Sequence, residues 1–342
     1  MKWIIAVIAI IGLGILGYLV LSNHKWDKTF DKNPQVINKK VHFMNRYGVD
    51  LVGDLYLPKD IDKKQKYGAI AVSGPFGAVK EQVSGRYAQE MASRGFVTLA
   101  FDPSFTGESG GKIRDVASPD INTEDFSAAI DYLTTLPYVD ENKIGIIGIC
   151  GFGGFALNAN AMDTRIKATV TSTMYDMTRV SALGYNDTKT PEQLYAERVQ
   201  MNNQRTADAR SGKIAKSAPL PDPATLTNDT PQFVKDYVAF YKTPLGYHKR
   251  SVGSQRGWNV TSGLSLITMP ILAYADTIKN PVLMIHGEKA HSRYFSEGAF
   301  KKLTGDNKEL LIIPGANHTD LYYKMDVIPF DKMEQFFKTS FK

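Results

Sequence analysis

The residues best suited to covalent chemistry lie in two short segments far apart in the chain. The first, residues 143–158, reads "KIGIIGICGFGGFALN" and holds the only cysteine, Cys150, between an apolar run and a group of glycines. A thiol is intrinsically very nucleophilic, and a helix N-terminus lowers its pKa. The second segment reads "IIPGANHTDLYY" and places His318 after a Pro-Gly-Ala-Asn turn. We predict that Cys150 is a nucleophile and that His318 is its general base.

A lone cysteine is more often a small buried hydrophobe than a nucleophile. The glycines around Cys150 favour the second interpretation, because Gly148 and Gly153 leave room for a strained turn between a strand and a helix, the nucleophile elbow. In the usual pattern, the second residue after the nucleophile is small as well. Here that residue is Phe152, which departs from the pattern.

A carboxylate that orients the histidine would complete a catalytic triad. Two residues are candidates: Glu288 in the segment "HGEKAHSR" and Asp176 in the segment "TSTMYDM". We prefer Glu288 and keep Asp176 as the alternative, and either carboxylate could instead be solvated or cap a helix. His291, next to Glu288, is interpreted as a pocket or structural residue rather than as a second base.

Acyl transfer also needs two hydrogen-bond donors for the developing oxyanion. One donor is normally the N–H that follows the nucleophile, which here belongs to Gly151. The other is expected from "SGPFGAVKE", where Pro75 has no N–H, so that Phe76 is the predicted donor and Gly77 the alternative. This loop lacks the GxxxxGK[ST] pattern of phosphate binding, so we expect neither a nucleotide nor any other cofactor.

An alternation of strands and helices is predicted to position these residues. A β-hairpin at 41–58 precedes a series of short apolar runs and amphipathic segments, which indicates a mostly parallel sheet covered by helices on both faces. The predicted strands are 67–74, 96–102, 143–149, 167–173, 281–287 and 309–315, and the predicted helices are 80–95, 121–136, 151–162 and 293–303. The alternation is interrupted over about 177–275, which we interpret as an inserted helical cap that forms a lid and a pocket wall, or alternatively a helical decoration.

The amino terminus has a different character. The run "IIAVIAIIGLGILGYLVL" at 4–21 carries no charge and is long enough to cross a bilayer as a helix. It predicts a transmembrane anchor within residues 1–21, or else a cleaved signal peptide and export. The polar, lysine-rich stretch 22–40 is predicted to be a tether, and 41–342 the catalytic domain. The charges on either side of the segment do not decide its orientation.

Composition narrows the function classes further. Of the 342 residues, 43% are hydrophobic and 22% charged, as is ordinary for a globular protein, and the formal net charge is +6. The lysines are scattered and form no basic stripe with aromatic residues, so we expect no nucleic-acid partner. A single cysteine allows neither an internal disulfide nor a zinc cluster, and no metal site is expected.

Five segments in order resemble the dienelactone-hydrolase-like branch of the α/β-hydrolase superfamily: "GPFGAVKEQ", "LAFDPSFTGESGG", "GICGFGGFALNANAMDTRIKATVTSTMYDM", "HGEKAHSRYFSE" and "PGANHTDLYYK". The resemblance covers nearly everything from residue 41 onward. It implies an eight-stranded hydrolase fold and cofactor-free cleavage of esters, lactones or thioesters by a nucleophile, an acid and a histidine. The chain departs from the pattern at Ala290, where the acid is expected, and at Gly74, where dienelactone hydrolase carries a glutamate.

The sequence therefore predicts an α/β-hydrolase with a Cys-His-acid triad, a backbone oxyanion hole and a small-molecule acyl substrate. An acyltransferase on the same fold and a catalytically inactive, membrane-anchored binding protein are the alternatives. A serine hydrolase using Ser73 or Ser109 is not expected, because neither serine lies at a turn from a strand into a helix.

Overall fold

The computed structural model describes residues 26–342. The predicted membrane anchor or signal at 1–21 lies outside this range. Within 26–342, none of the helices combines the length and the apolarity that crossing a bilayer requires.

Eight strands form one sheet in the order β1-β2-β4-β3-β5-β6-β7-β8. They are β1 (Val36–Met44), β2 (Asp50–Pro58), β3 (Tyr67–Ser73), β4 (Val97–Phe101), β5 (Val139–Ile149), β6 (Ala168–Ser172), β7 (Val282–Gly287) and β8 (Lys308–Ile313). β2 runs antiparallel to both β1 and β4, and all other neighbours are parallel. The predicted α/β-hydrolase sheet of eight strands is confirmed.

Helices between the strands and after β8 cover both faces of this sheet, and further helices form the segment between β6 and β7. In chain order they are α1 (Val83–Ser93), α2 (Pro119–Thr134), α3 (Gly151–Met162), α4 (Met177–Leu183), α5 (Pro191–Ser211), α6 (Gln232–Tyr241), α7 (Val252–Gln255), α8 (Gly263–Thr268), α9 (Arg293–Phe300), α10 (Asp320–Tyr323) and α11 (Phe330–Ser340). The segment between β6 and β7 carries α4 to α8 and corresponds to the predicted cap at about 177–275. Long connections of this kind are frequently functional.

The alternation of side chains along each strand divides the core into two layers. In β5, Ile146 packs with Phe126 of α2 on one face, whereas Ile147 belongs to the layer on the other face, which contains Tyr87 of α1 and Phe337 of α11. Because β4, β6 and β7 are buried along their whole length, their sequences read as continuous apolar or small-residue runs. The site described below lies at the carboxyl ends of these parallel strands.

The chain joins the domain earlier than the sequence predicted. β1 begins at Val36, and Phe30 is buried, so most of the described part of the predicted tether at 22–40 packs on the domain. The reason is that β1 is an edge strand whose lysines, among them Lys39 and Lys40, are exposed. Such charges are a common device of edge strands, and they give the sequence the polar character of a linker.

Candidate active site

Cys150 occupies a strained turn between β5 and α3. Its backbone angles are φ 55° and ψ −126°, a region that a non-glycine residue rarely adopts. The turn is held from both sides, because the Cys150 N–H donates to Ser172 O at 3.0 Å and the Cys150 carbonyl accepts from Tyr175 N at 2.8 Å and Gly153 N at 2.9 Å. These three hydrogen bonds hold Cys150 in its strained conformation, and the thiol lies beyond the end of the sheet.

The structure accounts for the large residue in the elbow. Phe152 points into the core, where its ring centroid lies 5.1 Å from that of Phe155. Gly74, with φ +100°, leaves room beside it, since a Cβ at position 74 would lie 2.2 Å from Ile149 O and 2.9 Å from the Phe152 Cβ. Gly74 is therefore required by the close approach of the elbow backbone, and it does not depend on the ring of Phe152.

The thiol of Cys150 faces a cavity and a set of hydrogen-bond donors. The sulfur interacts with the hydroxyl of Tyr322 and with the backbone N–H groups of Phe76 and Gly151. Burial raises the pKa of the Cys150 thiol above its ordinary value, and these three groups, which would stabilise a thiolate, only partly offset that effect. Two backbone N–H groups beside the sulfur suit the oxyanion of a tetrahedral intermediate.

The cavity in front of Cys150 measures about 240 Å³ and is lined mainly by aromatic side chains. The core domain supplies Phe76, Tyr175 and Tyr322. The cap supplies the opposite wall, which includes Leu220, Tyr237, Tyr241, Val252 and Trp258. The ring of Trp258 stacks on Phe76 with centroids 4.2 Å apart, so the cap contacts the donor loop directly.

His318 lies behind this cavity rather than on its wall. Its side chain is 2% exposed, and its Nε2 is 2.9 Å from the hydroxyl of Tyr322. Its Nδ1 is 2.8 Å from Thr173 Oγ1 and 2.6 Å from Ser292 Oγ. Burial, followed by the proximity of His286 and His291, holds the pKa of His318 well below its ordinary value, so the ring is neutral at neutral pH.

A second imidazole continues the chain of hydrogen bonds. Ser292 Oγ also lies 2.9 Å from Nε2 of His286, and Nδ1 of His286 lies 2.6 Å from Ser296 Oγ. His286 is fully buried, and burial lowers its pKa to about 3. A series of hydrogen bonds between neutral groups therefore leads towards Cys150; it passes through Ser296, His286, Ser292, His318 and Tyr322.

Neither predicted acid occupies the position next to His318. Glu288 is exposed, and its Oε2 accepts from the N–H of Gly315 at 2.8 Å. Asp176 caps α4, with Oδ1 accepting from Thr178 N at 3.0 Å and Arg179 N at 2.9 Å. The assignment of an acid to Glu288 or Asp176 is thereby corrected: each carboxylate is taken up by local backbone, and the side chains on Nδ1 of His318 are hydroxyls.

His291 lies beside the tyrosines at one end of the cavity, as expected for a pocket or structural residue. It stacks on Phe233 with centroids 4.3 Å apart, and its Nε2 bonds the hydroxyl of Tyr175. Burial lowers the pKa of His291 to about 4. The hydroxyls of Tyr237 and Tyr185 lie 3.2 Å and 3.3 Å from that of Tyr175, which completes a polar cluster at one end of the cavity.

Sequence reasoning missed Tyr322 and Ser292. One signal was present for Tyr322, which follows His318 by four residues, a spacing that places two side chains together on a helical turn. No comparable signal marked Ser292, whose role depends on how the loop between β7 and α9 folds back on His318.

Comparisons with known proteins agree with this architecture. Residues 47–320 match the family model of the X-Pro dipeptidyl-peptidase (S15 family). The uncharacterized protein PA2218 of Pseudomonas aeruginosa is 56% identical over 92% of this chain and 83% of its own length. Its crystal structure superposes with a TM-score of 0.89 over 93% of this chain and 98% of that chain, at 55% identity.

Two further relatives are more distant. The uncharacterized protein YcjY of Escherichia coli is 36% identical over 84% of this chain and 93% of its own. Thiohydrolase aneE of Aspergillus aculeatus is 30% identical over 40% of this chain and 42% of its own length. The α/β-hydrolase superfamily is thus confirmed, whereas the dienelactone-hydrolase-like branch stays a prediction. The chain belongs to the X-Pro dipeptidyl-peptidase (S15) family, and it is an α/β-hydrolase of the kind that cleaves ester- or amide-type bonds.

Proposed function

We propose that this chain hydrolyses thioesters or esters of small acyl groups, with Cys150 as the nucleophile and His318 as the general base. The observation that carries the proposal is the strained turn at Cys150, which presents the sulfur to a cavity beside the N–H groups of Phe76 and Gly151. Strain of about 1 to 3 kcal/mol at such a residue is typically kept where it serves function.

The chemistry follows from that placement. The sulfur attacks the acyl carbonyl carbon, its proton is taken up by His318, and the N–H groups of Phe76 and Gly151 hold the oxyanion. Collapse expels the leaving group, which takes a proton, and leaves an acyl group on Cys150. Water then attacks the acyl carbonyl with His318 again as base, which releases the acid and restores the thiol.

The electrostatics of the site favour thioesters over amides. A buried thiol of raised pKa beside a histidine of lowered pKa is a neutral pair, and no carboxylate among the described residues bonds His318 to stabilise an imidazolium. An amide leaves only after an imidazolium has protonated its nitrogen, and this site does not stabilise that imidazolium, whereas a thiolate leaves readily without the proton. The relative named a thiohydrolase supports the same class.

The size of the cavity limits the acyl group. At about 240 Å³ it falls below the roughly 300 to 1,000 Å³ of pockets that hold drug-sized ligands. A cavity of about 150 Å³ already admits benzene. We therefore expect an acyl group about as large as benzoyl, packed against the rings of Tyr237, Tyr241 and Trp258.

Serine alternatives are less well placed. Ser292 is fully buried on the Nδ1 side of His318, away from the cavity wall. Ser73 Oγ donates to Phe101 O, and Ser109 Oγ donates to Asp102 O at 2.6 Å, so both hydroxyls serve backbone carbonyls.

The test is hydrolysis of acetyl, butyryl and benzoyl thioesters, the matching p-nitrophenyl esters and an X-Pro anilide by the full chain. Cys150→Ala and His318→Ala are each expected to lower kcat/KM by about 10³-fold or more. Full activity in Cys150→Ala would exclude the proposal, and a preference for the anilide would assign the chain to peptides. Product analysis with added alcohols or thiols distinguishes an acyltransferase, and an absence of turnover on every substrate would favour the binding protein.

We also propose that the hydrolase is held at a membrane by the apolar run at 4–21, or exported if that run is cleaved. The support is the uncharged stretch itself, which is long enough to span a bilayer. Carbonate extraction of membranes and N-terminal sequencing of the mature chain separate an anchored, a cleaved and an unattached protein.

A further inference from the structure

The hydroxyl of Tyr322 lies between the two groups that must exchange a proton. It is 2.9 Å from Nε2 of His318, and it interacts with the sulfur of Cys150. Both Cys150 and Tyr322 form part of the cavity wall, whereas His318 lies behind Tyr322. The tyrosine oxygen therefore offers a path for a proton between the sulfur and the imidazole.

The surroundings hold Tyr322 in that position. Its ring is fully buried and packs edge-on against Phe240 and His318, with centroids 5.1 Å and 5.3 Å away. The neighbouring backbone is fixed by Tyr87, whose hydroxyl donates to Leu321 O at 2.6 Å. Moving the ring aside to let His318 contact Cys150 would disrupt this packing.

We propose that Tyr322 is a catalytic residue that relays the proton between Cys150 and His318 through its hydroxyl. The inference rests on the proposed function of Cys150 and adds a group to its mechanism. The relay uses the His318 tautomer in which Nδ1–H donates to Ser292 or Thr173, so that Nε2 accepts from Tyr322 O–H. The thiol of Cys150 in turn donates to the tyrosine oxygen.

Each step of this relay balances. As the sulfur–carbon bond forms, the S–H proton passes to the Tyr322 oxygen, and the Tyr322 O–H proton passes to Nε2 of His318. The tyrosine stays neutral, His318 becomes an imidazolium, and the carbonyl electron pair becomes the oxyanion. When the carbon–leaving-group bond breaks, the imidazolium proton moves to Tyr322, and the tyrosine proton moves to the leaving atom. Water repeats the sequence in deacylation.

The burial of Tyr322 is consistent with a hydroxyl that does not ionise during the reaction. It raises the pKa of Tyr322 well above the ordinary value of a phenol, so a tyrosinate intermediate is too costly and the two protons must move together. A concerted transfer of two protons has a measurable signature, because the rate in mixtures of light and heavy water then depends on the square of the deuterium fraction.

The decisive variant is Tyr322→Phe, which keeps the ring and removes the relay. We expect kcat for a thioester to fall by about 10² to 10⁴-fold, the usual contribution of general acid–base catalysis, with a smaller change in KM. The matched control is Tyr56→Phe, which also removes the hydroxyl of a fully buried tyrosine, one that lies in β2 and forms no part of the cavity wall. It should keep kcat within about threefold of wild type.

Solvent isotope measurements on the unmodified full chain give an independent test that does not depend on folding of a variant. A curved plot of acylation rate against deuterium fraction supports the relay, and a straight line overturns it. Activity of Tyr322→Phe within threefold of wild type also overturns it. If Cys150→Ala is inactive while Tyr322→Phe is active, only the relay fails; if Cys150→Ala is active, the proposed function fails as well.

Discussion

The Oγ of Ser292 lies 2.6 Å from Nδ1 of His318 and 2.9 Å from Nε2 of His286. This is the place where a carboxylate would orient the histidine of a triad. A hydroxyl can fix the tautomer and direction of the ring, but it supplies no negative charge for an imidazolium. The site is therefore built around a neutral histidine, and its pH behaviour should differ from that of an enzyme with a charged acid.

Removing the hydroxyl of Ser292 should cause a modest loss. In Ser292→Ala, Thr173 Oγ1 at 2.8 Å remains to hold Nδ1 of His318, so the loss approximates one hydrogen bond of about 0.5 to 1.5 kcal/mol. We expect kcat to fall about tenfold, measured on the preferred thioester. Ser296→Ala, which removes a hydroxyl bonded to His286 rather than to His318, is the control and should lose less. A fall of about 10⁴-fold, as when a triad aspartate is replaced, would show that Thr173 does not share the positioning of His318.

Alkylation of Cys150 should be slow at neutral pH and accelerate in base. Burial raises the thiol pKa, so the thiolate fraction rises about tenfold per pH unit up to that raised value. Iodoacetamide labelling, followed by mass spectrometry between pH 6 and 9, should show this rise without a plateau. His318→Ala should show the same slope. Rapid labelling that is already constant below pH 7 would instead indicate a thiolate–imidazolium ion pair.

The two carboxylates first considered as the acid should be dispensable for chemistry. Glu288→Gln removes the charge from a side chain that bonds only the backbone of Gly315 among the described residues, and kcat should stay within about threefold. Asp176→Asn should lower the free energy of unfolding by about 1 kcal/mol or less, because asparagine is also a good helix cap. A loss of more than 10²-fold in kcat for either variant would restore that residue as the acid.

Stability should fall as the solution becomes acidic. His286 has a folded-state pKa of about 3 against an ordinary value of 6.5, so the unfolded chain binds its proton first as pH falls. The stabilisation from keeping this ring neutral is complete above pH 6.5 and is lost progressively down to about pH 3, on the order of 3 to 5 kcal/mol. Urea unfolding at pH 7, 5.5 and 4 measures it. His286→Asn should flatten the dependence, and an unchanged slope would show that other groups dominate.

The fold could be predicted from the sequence because buried parallel strands have apolar sequences, which can be recognised between helical segments. The edge strand β1 was harder, since its exposed face carries lysines that resemble a linker. At the candidate site, strand ends predicted that Cys150, Phe76, Gly151 and His318 lie at the same edge of the sheet, because their positions depend on where elements begin and end; their roles stay predictions. The partners of His318 depend on side-chain directions in two loops, which is why Glu288 was chosen and Ser292 was overlooked.

Trapping of the acyl-enzyme shows whether Cys150 is the nucleophile. The full chain would be mixed with a benzoyl thioester, quenched in acid within milliseconds to seconds, digested, and read by peptide mass spectrometry. We expect a benzoyl adduct on the peptide that contains Cys150, absent in Cys150→Ala and accumulating in a burst before steady turnover. Turnover with the adduct on another residue, or undiminished in Cys150→Ala, would contradict that role.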